Sequence, residues 1–403
     1  MQNTTLALIQ RRLPFLLVLS FLFLYSCKDD KPLNPVDPPK ENQYLIESNV
    51  IAELTKEQVA LKAGVINPLL VAYVKHGIKV YKITYKTKNT DGTDITASGA
   101  LILPSTADAA SMISVQHGTI REDVSAPSNF ADGSEAASFG ALFGSMGYII
   151  SYPDYIGYGA SKDLPHPYEH RESLASASLD MLRAAKEFLK EQTAAKWDEK
   201  LYIAGYSEGG YATMSLHKMI EEKASSEFDL RASSCGAGAY DKTAFMKYIV
   251  NNETHKISSY NALYLWVLLT YDRIYKLDRP TSYYFKEPFA KSIADNGIKA
   301  PITGSFDAIL NESFKKDLND GKDTGFTNAI ADNDVYNWKP KAPLQLYHGT
   351  SDQLVFYFNS EKAFNTMKGL GANVQLIPVP GGDHASSITP YLIGTLAFFT
   401  STK

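Results

Sequence analysis

Leu201-Tyr202-Ile203-Ala204 runs straight into Gly205-Tyr206-Ser207-Glu208-Gly209-Gly210. A short apolar run bounded by glycine is expected to be a buried strand. The residues behind it carry Met214, Leu216, Met219 and Ile220 at helical spacing over 211–223. The serine therefore sits in a turn between a strand and a helix. Such a turn holds its central residue in a strained backbone conformation, so the positions two before and two after Ser207 must lack side chains that would clash. Glycine stands at both. The start of the helix aims backbone N–H groups at the serine's surroundings, where a developing oxyanion would gain from them.

Working outward, residues 112–116 and 148–152 are short apolar runs between turn residues, as buried parallel strands are, and a long helical pattern covers 174–191. Residues 233–239, 344–347 and 374–379 read as further strands, with a helical stretch at 361–370 between the last two. Residues 78–103 alternate around Asn89-Thr90-Asp91-Gly92, a hairpin signal, whereas Leu45, Ile46, Ile51, Leu54 and Val59 make 44–62 read as helix. Strand and helix then alternate singly, which predicts an α/β fold with a mostly parallel, doubly wound sheet. The alternation stops at residues 241–341, rich in Tyr, Phe and Trp. They are expected to form a helical cap inserted between the sixth and seventh core strands. Its most apolar part, 263–269, is too short to span a bilayer and is either cap core or the lining of an acyl pocket.

Serine alone is a poor nucleophile, so a base must take its proton and a carboxylate must fix the base's tautomer. The strand 344–347 leads into His348-Gly349-Thr350-Ser351-Asp352, which puts Asp352 on a loop past a strand's C-terminal end, where open α/β sheets build their sites. The strand 374–379 leads likewise into Pro380-Gly381-Gly382-Asp383-His384, whose small residues leave His384 room to reach in. The interval from Asp352 to His384 fits one helix and one strand. Asp383 is the alternative acid. Among the other histidines, His348 suits a supporting role in the acid loop, His217 lies on the helix after the elbow, and His166 and His170 fall in a polar loop. Acyl transfer also needs two preorganised donors for its oxyanion. The backbone N–H of Glu208 is one candidate, and that of Thr119, in Gln116-His117-Gly118-Thr119, is the other, with Gly118 as the alternative.

With these pieces in place, the chain resembles the α/β-hydrolase superfamily, and within it the secreted lipase/esterase group whose elbow reads G-Y-S-[QE]-G-G. The likeness runs from about Ile78 to Phe399. It includes Pro153-Asp154-Tyr155-Ile156-Gly157-Tyr158-Gly159, similar to the P-D-Y-x-G-x-G segment that follows the fourth strand in many members. The resemblance implies a serine hydrolase acting on carboxylic esters through an acyl-enzyme, with Ser207, Asp352 and His384 as its triad and no cofactor. Asp154, Tyr155 and Gly157 would be scaffold. Glu208, where many relatives carry glutamine, places an acid beside the nucleophile. Related oligopeptidases use a similar elbow but carry an N-terminal propeller, for which the segment before Met112 is too short. A serine peptidase related to them is the alternative activity, and a hydrolase fold that only binds is a further alternative.

The chain of 403 residues has a net charge of −4, so no basic excess points to nucleic acid or to an anionic membrane surface. No H-E-x-x-H or close His/Cys cluster suggests a metal. At the N-terminus Arg11 and Arg12 precede the apolar run 13–25, short for a membrane span but suited to a signal peptide over residues 1–26. Its end, Leu24-Tyr25-Ser26-Cys27, resembles the lipobox of bacterial lipoproteins, which implies lipidation at Cys27 and export to the outer membrane or surface of a Gram-negative bacterium. Residues 27–43, with Pro32, Pro35, Pro38 and Pro39, read as a tether, and residues 44–403 as the catalytic domain. The remaining thiol, Cys235, has no partner for a disulfide and is expected to be buried.

Overall fold

Among the described residues nine strands make one sheet in the computed structural model, in the order β1-β2-β3-β5-β4-β6-β7-β8-β9. The described residues are 42–191 and 195–402. The signal peptide, Cys27 and all but the last two tether residues lie outside them. The strands are β1 Leu45–Leu54, β2 Ile78–Lys88, β3 Asp94–Pro104, β4 Ala109–Gln116, β5 Ile149–Pro153, β6 Lys196–Tyr206, β7 Asp229–Gly236, β8 Leu344–Gly349 and β9 Val374–Val379. From β1 to β5 the pairings are antiparallel, and from β5 through β4 to β9 they are parallel. Helices cover both faces: α1 Lys56–Ile66, α2 Ala141–Ser145, α3 Arg171–Glu191, α4 Glu208–Lys223, α5 Lys242–Asn251, α6 Ser258–Ile274, α7 Thr281–Tyr284, α8 Phe289–Asn296, α9 Glu312–Asn319, α10 Thr324–Asp332, α11 Phe358–Gly369 and α12 Ile388–Ser401. Residues 42–403 form one compact unit that holds the whole sheet and all four buried apolar clusters.

The parallel strands are buried end to end where helices cover both faces, as β5 and β8 are throughout, which is why they read as plain apolar runs. The hairpin β2–β3 closes at the expected turn: Asn89 and Gly92 are joined by a backbone hydrogen bond, with Gly92 at φ 83°. Residues 44–62 depart from the expected helix. They form β1 and only then α1. β1 is an edge strand whose pairing with β2 shifts register twice, between Leu45 and Glu47 and between Val50 and Ala52, and those bulges break the two-residue alternation that marks a strand. The boundary was nonetheless written in the chain as Thr55-Lys56-Glu57-Gln58, where the Thr55 and Gln58 side chains cap each other's backbone N–H groups.

The extra strand moves the aromatic-rich stretch to between β7 and β8, where it holds the six helices α5–α10. Leu265 and Leu268, in the middle of 263–269, are buried in the stretch's own core with Phe306, Phe314 and Phe326. Cys235 is buried in β7, and burial pushes its thiol well up. His170, expected in a polar loop, is instead 7% exposed, just ahead of α3, with its Nδ1 2.9 Å from Ser173 Oγ. Burial pushes its imidazole down to about 4, with Asp332 opposing and Arg171 adding to the effect.

Because the folded value lies below the unfolded value of about 6.5, the unfolded chain takes up the extra proton. This contribution to stability is whole above about pH 6.5 and is lost as pH falls toward 4. Melting curves between pH 7 and 4.5 should therefore show a shallower loss for His170→Gln than for the native chain, by up to roughly 3 kcal/mol. Parallel curves would show that His170 does not titrate in this range.

Candidate active site

Ser207 stands between β6 and α4 at φ 61° and ψ −124°, and its N–H donates to the Gly236 carbonyl at 2.9 Å. The backbone after β4 presses close beneath it. A Cβ at Gly205 would lie 2.3 Å from the Gly209 carbonyl oxygen, and one at Gly209 only 2.0 Å from that of Gln116. Backbone atoms cannot give way as a side chain can, so both glycines are required by contact.

The loops after β8 and β9 bring two more side chains to Ser207. His384 Nε2 lies 2.8 Å from Ser207 Oγ, and His384 Nδ1 lies 2.6 Å from Asp352 Oδ2. The other carboxylate oxygen, Oδ1, accepts the N–H groups of Leu354 at 2.9 Å and Val355 at 3.0 Å, which fixes the carboxylate plane. With Nδ1–H donated to Asp352, the lone pair of Nε2 faces the serine hydroxyl. Burial pushes the Asp352 carboxyl up, but hydrogen bonds from His348 and His384, and their charge, outweigh it and hold it well below the usual carboxylate range. His348 is fully buried. Its Nε2–H donates to the Val355 carbonyl at 2.6 Å and lies 3.4 Å from Asp352 Oδ2, so it braces the acid loop. Asp383 is exposed and turns to Ser386, accepting its N–H at 2.8 Å, and has no contact with the His384 ring. The Tyr206 hydroxyl donates to the His384 carbonyl at 2.8 Å, which holds the backbone at His384.

On the far side of the serine, the Gly118 N–H donates to Glu135 Oε1 at 3.1 Å, and Tyr152 donates to Glu135 Oε2 at 2.8 Å. Gly118 and Thr119 both line the same cavity as Ser207; the Gly118 N–H is engaged by Glu135, and the Thr119 hydroxyl lies 2.9 Å from that of Tyr168. Glu208 opens α4, where the first N–H groups have no partner within the helix. Its side chain is 1% exposed and turns from the serine to His166, Oε1 lying 2.8 Å from Nε2. His166 Nδ1 is 2.7 Å from the Ile156 carbonyl, to which it donates. His166, expected in a polar loop, is therefore buried support for the elbow. Asp154 is equally internal, accepting from Ser98 Oγ and from the Ser128 N–H at 2.7 Å. Glu135 and His166 carried no local signal in the sequence, because each acts on a residue far along the chain.

A cavity of about 400 Å³ opens at Ser207 and His384 and runs into the body of the domain. Its apolar walls come from Ile113 and Val115 of β4, Phe143 of α2, and Leu392 and Phe399 of α12. The aromatic-rich stretch supplies only Leu263 to that wall, so most of it serves as its own core.

The sheet order, with a serine raised on the turn after β6 and the loops after β8 and β9 converging on it, is that of an α/β-hydrolase. A family model of secretory lipases matches residues 135–394, and the chain belongs to that family, whose members are carboxylic ester hydrolases. Among solved structures it is similar to a protein of Legionella pneumophila described as a hydrolase, with 26% identity over 89% of this chain and 98% of that one and a TM-score of 0.79. The rice cell wall degrading esterase LipA of Xanthomonas oryzae shares 22% identity over 90% of this chain and 100% of its own, with a TM-score of 0.75. Candida antarctica lipase A in its closed state shares the fold at 14% identity over 90% of this chain and 82% of its own, with a TM-score of 0.64. No curated protein matches the chain.

Proposed function

We propose that this chain is an exported serine esterase that uses Ser207, His384 and Asp352 as its catalytic triad and takes the acyl chain of its ester into the apolar cavity. The observation that carries the reading is the relay from Asp352 Oδ2 through both ring nitrogens of His384 to Ser207 Oγ, at 2.6 and 2.8 Å. Ser207 Oγ attacks the ester carbonyl while His384 Nε2 takes its proton. The N–H groups of Glu208 and Thr119 hold the oxyanion, and each such donor is worth about 10²- to 10³-fold. Collapse breaks the bond to the alcohol oxygen, which leaves with the proton from Nε2. Water then repeats the sequence on the acyl-enzyme and frees the acid. No step calls for a cofactor. Helices α5–α10 act as the cap over the serine, and Cys27 carries the lipid that keeps the exported enzyme at the outer membrane or cell surface.

The cavity argues for the substrate class. Its volume falls in the range of small-molecule sites and its lining is largely apolar, which suits an alkyl chain rather than a sugar. Each methylene buried there is worth about 0.8 kcal/mol, or about fourfold in kcat/KM. Across p-nitrophenyl esters from acetyl to palmitoyl, turnover should climb at about that rate beyond acetyl until the cavity is full, and then fall. Leu392→Trp, which fills the cavity from α12, should move the optimum to shorter chains and leave acetyl ester hydrolysis nearly unchanged. A profile that Leu392→Trp does not alter would place the acyl chain elsewhere.

A further inference from the structure

Six of the thirteen exposed large apolar side chains among the described residues lie on one stretch of thirteen residues, 61–73. Leu61 is 73% exposed, Val65 89%, Leu69 78% and Tyr73 48%, with Ile66 and Val71 also exposed. Residues 63–74 contain no charged side chain. The stretch is anchored from beneath: Val59 and Ala63 of α1 are buried against the 136–145 segment, and the Asn67 side chain caps the short turn that follows. Apolar patches of this density on a folded surface mark a site of contact.

We propose that the 61–73 face docks on the surface of a lipid bilayer. The occupant is chosen by the chain that precedes the described residues, and this part of the argument rests on reading Cys27 as lipid-anchored. About 14 residues separate Cys27 from Asn42, and a proline-rich segment of that length reaches about 43 Å. Asn42 and Gln43 are held at the end of α3 by Glu191 and Glu187, and α1 begins at the other end of β1, about 33 Å away. The tether is therefore long enough for anchor and face to meet the same bilayer. Lys56 and Lys75 are exposed at the borders of the apolar stretch, where their ammonium groups would lie at headgroup level, whereas Lys62 is held in an ion pair by Asp132. Among the described residues no helix is long and apolar enough to cross a membrane, so the association is peripheral. The buried side of the same stretch packs on the 136–145 segment, whose Phe139 and Phe143 line the cavity at Ser207, so one layer of chain would separate docked lipid from that wall.

The test uses residues 42–403, which contain the whole sheet and every buried cluster, so that no lipid anchor contributes. Co-sedimentation with vesicles of equal parts phosphatidylethanolamine and phosphatidylglycerol should retain the native domain, and about 0.5 M salt should leave that binding intact because it is apolar. Leu61→Ser/Val65→Ser/Leu69→Ser/Val71→Ser should reduce the bound fraction at least about tenfold, with unchanged melting temperature and unchanged turnover of a soluble acetyl ester. Equal retention of both forms, or retention of neither, overturns the proposal. So does a concentration-dependent dimer of the native domain that the variant abolishes, since the face would then belong to a second copy. Failure here leaves the esterase reading untouched, because soluble ester turnover is measured separately.

Discussion

Ser207→Ala is expected to lower kcat/KM on a soluble p-nitrophenyl ester by roughly 10⁴- to 10⁶-fold. Without Oγ there is no acyl-enzyme, and His384 Nε2, 2.8 Å from that atom, loses the hydroxyl it faces. What remains is the positioning and oxyanion stabilisation that the cavity and backbone donors supply to attacking water. The cavity walls are untouched by the change, so KM should stay within a few-fold and nearly the whole effect should fall on kcat. Steady-state kinetics would decide it: a variant retaining a tenth of native turnover would mean that the nucleophile is another residue.

Asp352→Asn should cost about 10⁴-fold in kcat, no less than Asp352→Ala, although asparagine is nearly the same size. The reason lies in the two carboxylate oxygens. Oδ1 accepts the N–H groups of Leu354 and Val355, and an asparagine must present its oxygen there. Its NH₂ is then forced toward His384 Nδ1, where Oδ2 accepts in the native chain. A donor in that place favours the tautomer with hydrogen on Nε2, which can no longer take the serine's proton. Alanine removes the acceptor without imposing the wrong tautomer. Comparing kcat for the two variants would falsify this account if asparagine retained most of the native rate, and Asp383 would then have to be reconsidered as the acid.

The parts of this site that could be read from the chain are those in which chemistry forces a local pattern. Gly205 and Gly209 are dictated by carbonyl oxygens that leave no room for a Cβ, so the elbow announces itself. Asp352 follows β8, which is buried throughout, and His384 follows β9, an edge strand that still carries Val374, Leu376, Ile377 and Val379, so both strands and their loops are visible in the sequence. What escaped notice depends on distance or on broken periodicity. Glu135 holds the Gly118 N–H from another element, and His166 meets Glu208 from another loop, so neither leaves a mark near its partner. β1 has no strand signature in the sequence, because its two bulges put apolar residues at irregular intervals. The density of aromatics in 241–341 fits either a core of its own or the lining of an acyl pocket. Those rings pack on one another, and the cavity is cut between β4, α2 and α12, three elements that no single stretch of sequence unites.

That location makes the cavity's lining a shared possession. Ile113, Tyr152, Ala204 and Phe399 wall the cavity and also belong to the buried cluster that joins the sheet to α2 and α12. A substitution that reshapes the hollow is at the same time a substitution in the interior of the domain, where changes of a methylene or two are felt as lost packing or strain. Natural drift toward a different ligand must therefore stay within a narrow margin of folding stability, and paired, volume-conserving exchanges across the hollow are the accessible route. The helices between β7 and β8, which have a core of their own and lend the wall little more than Leu263, can diverge with far less restraint.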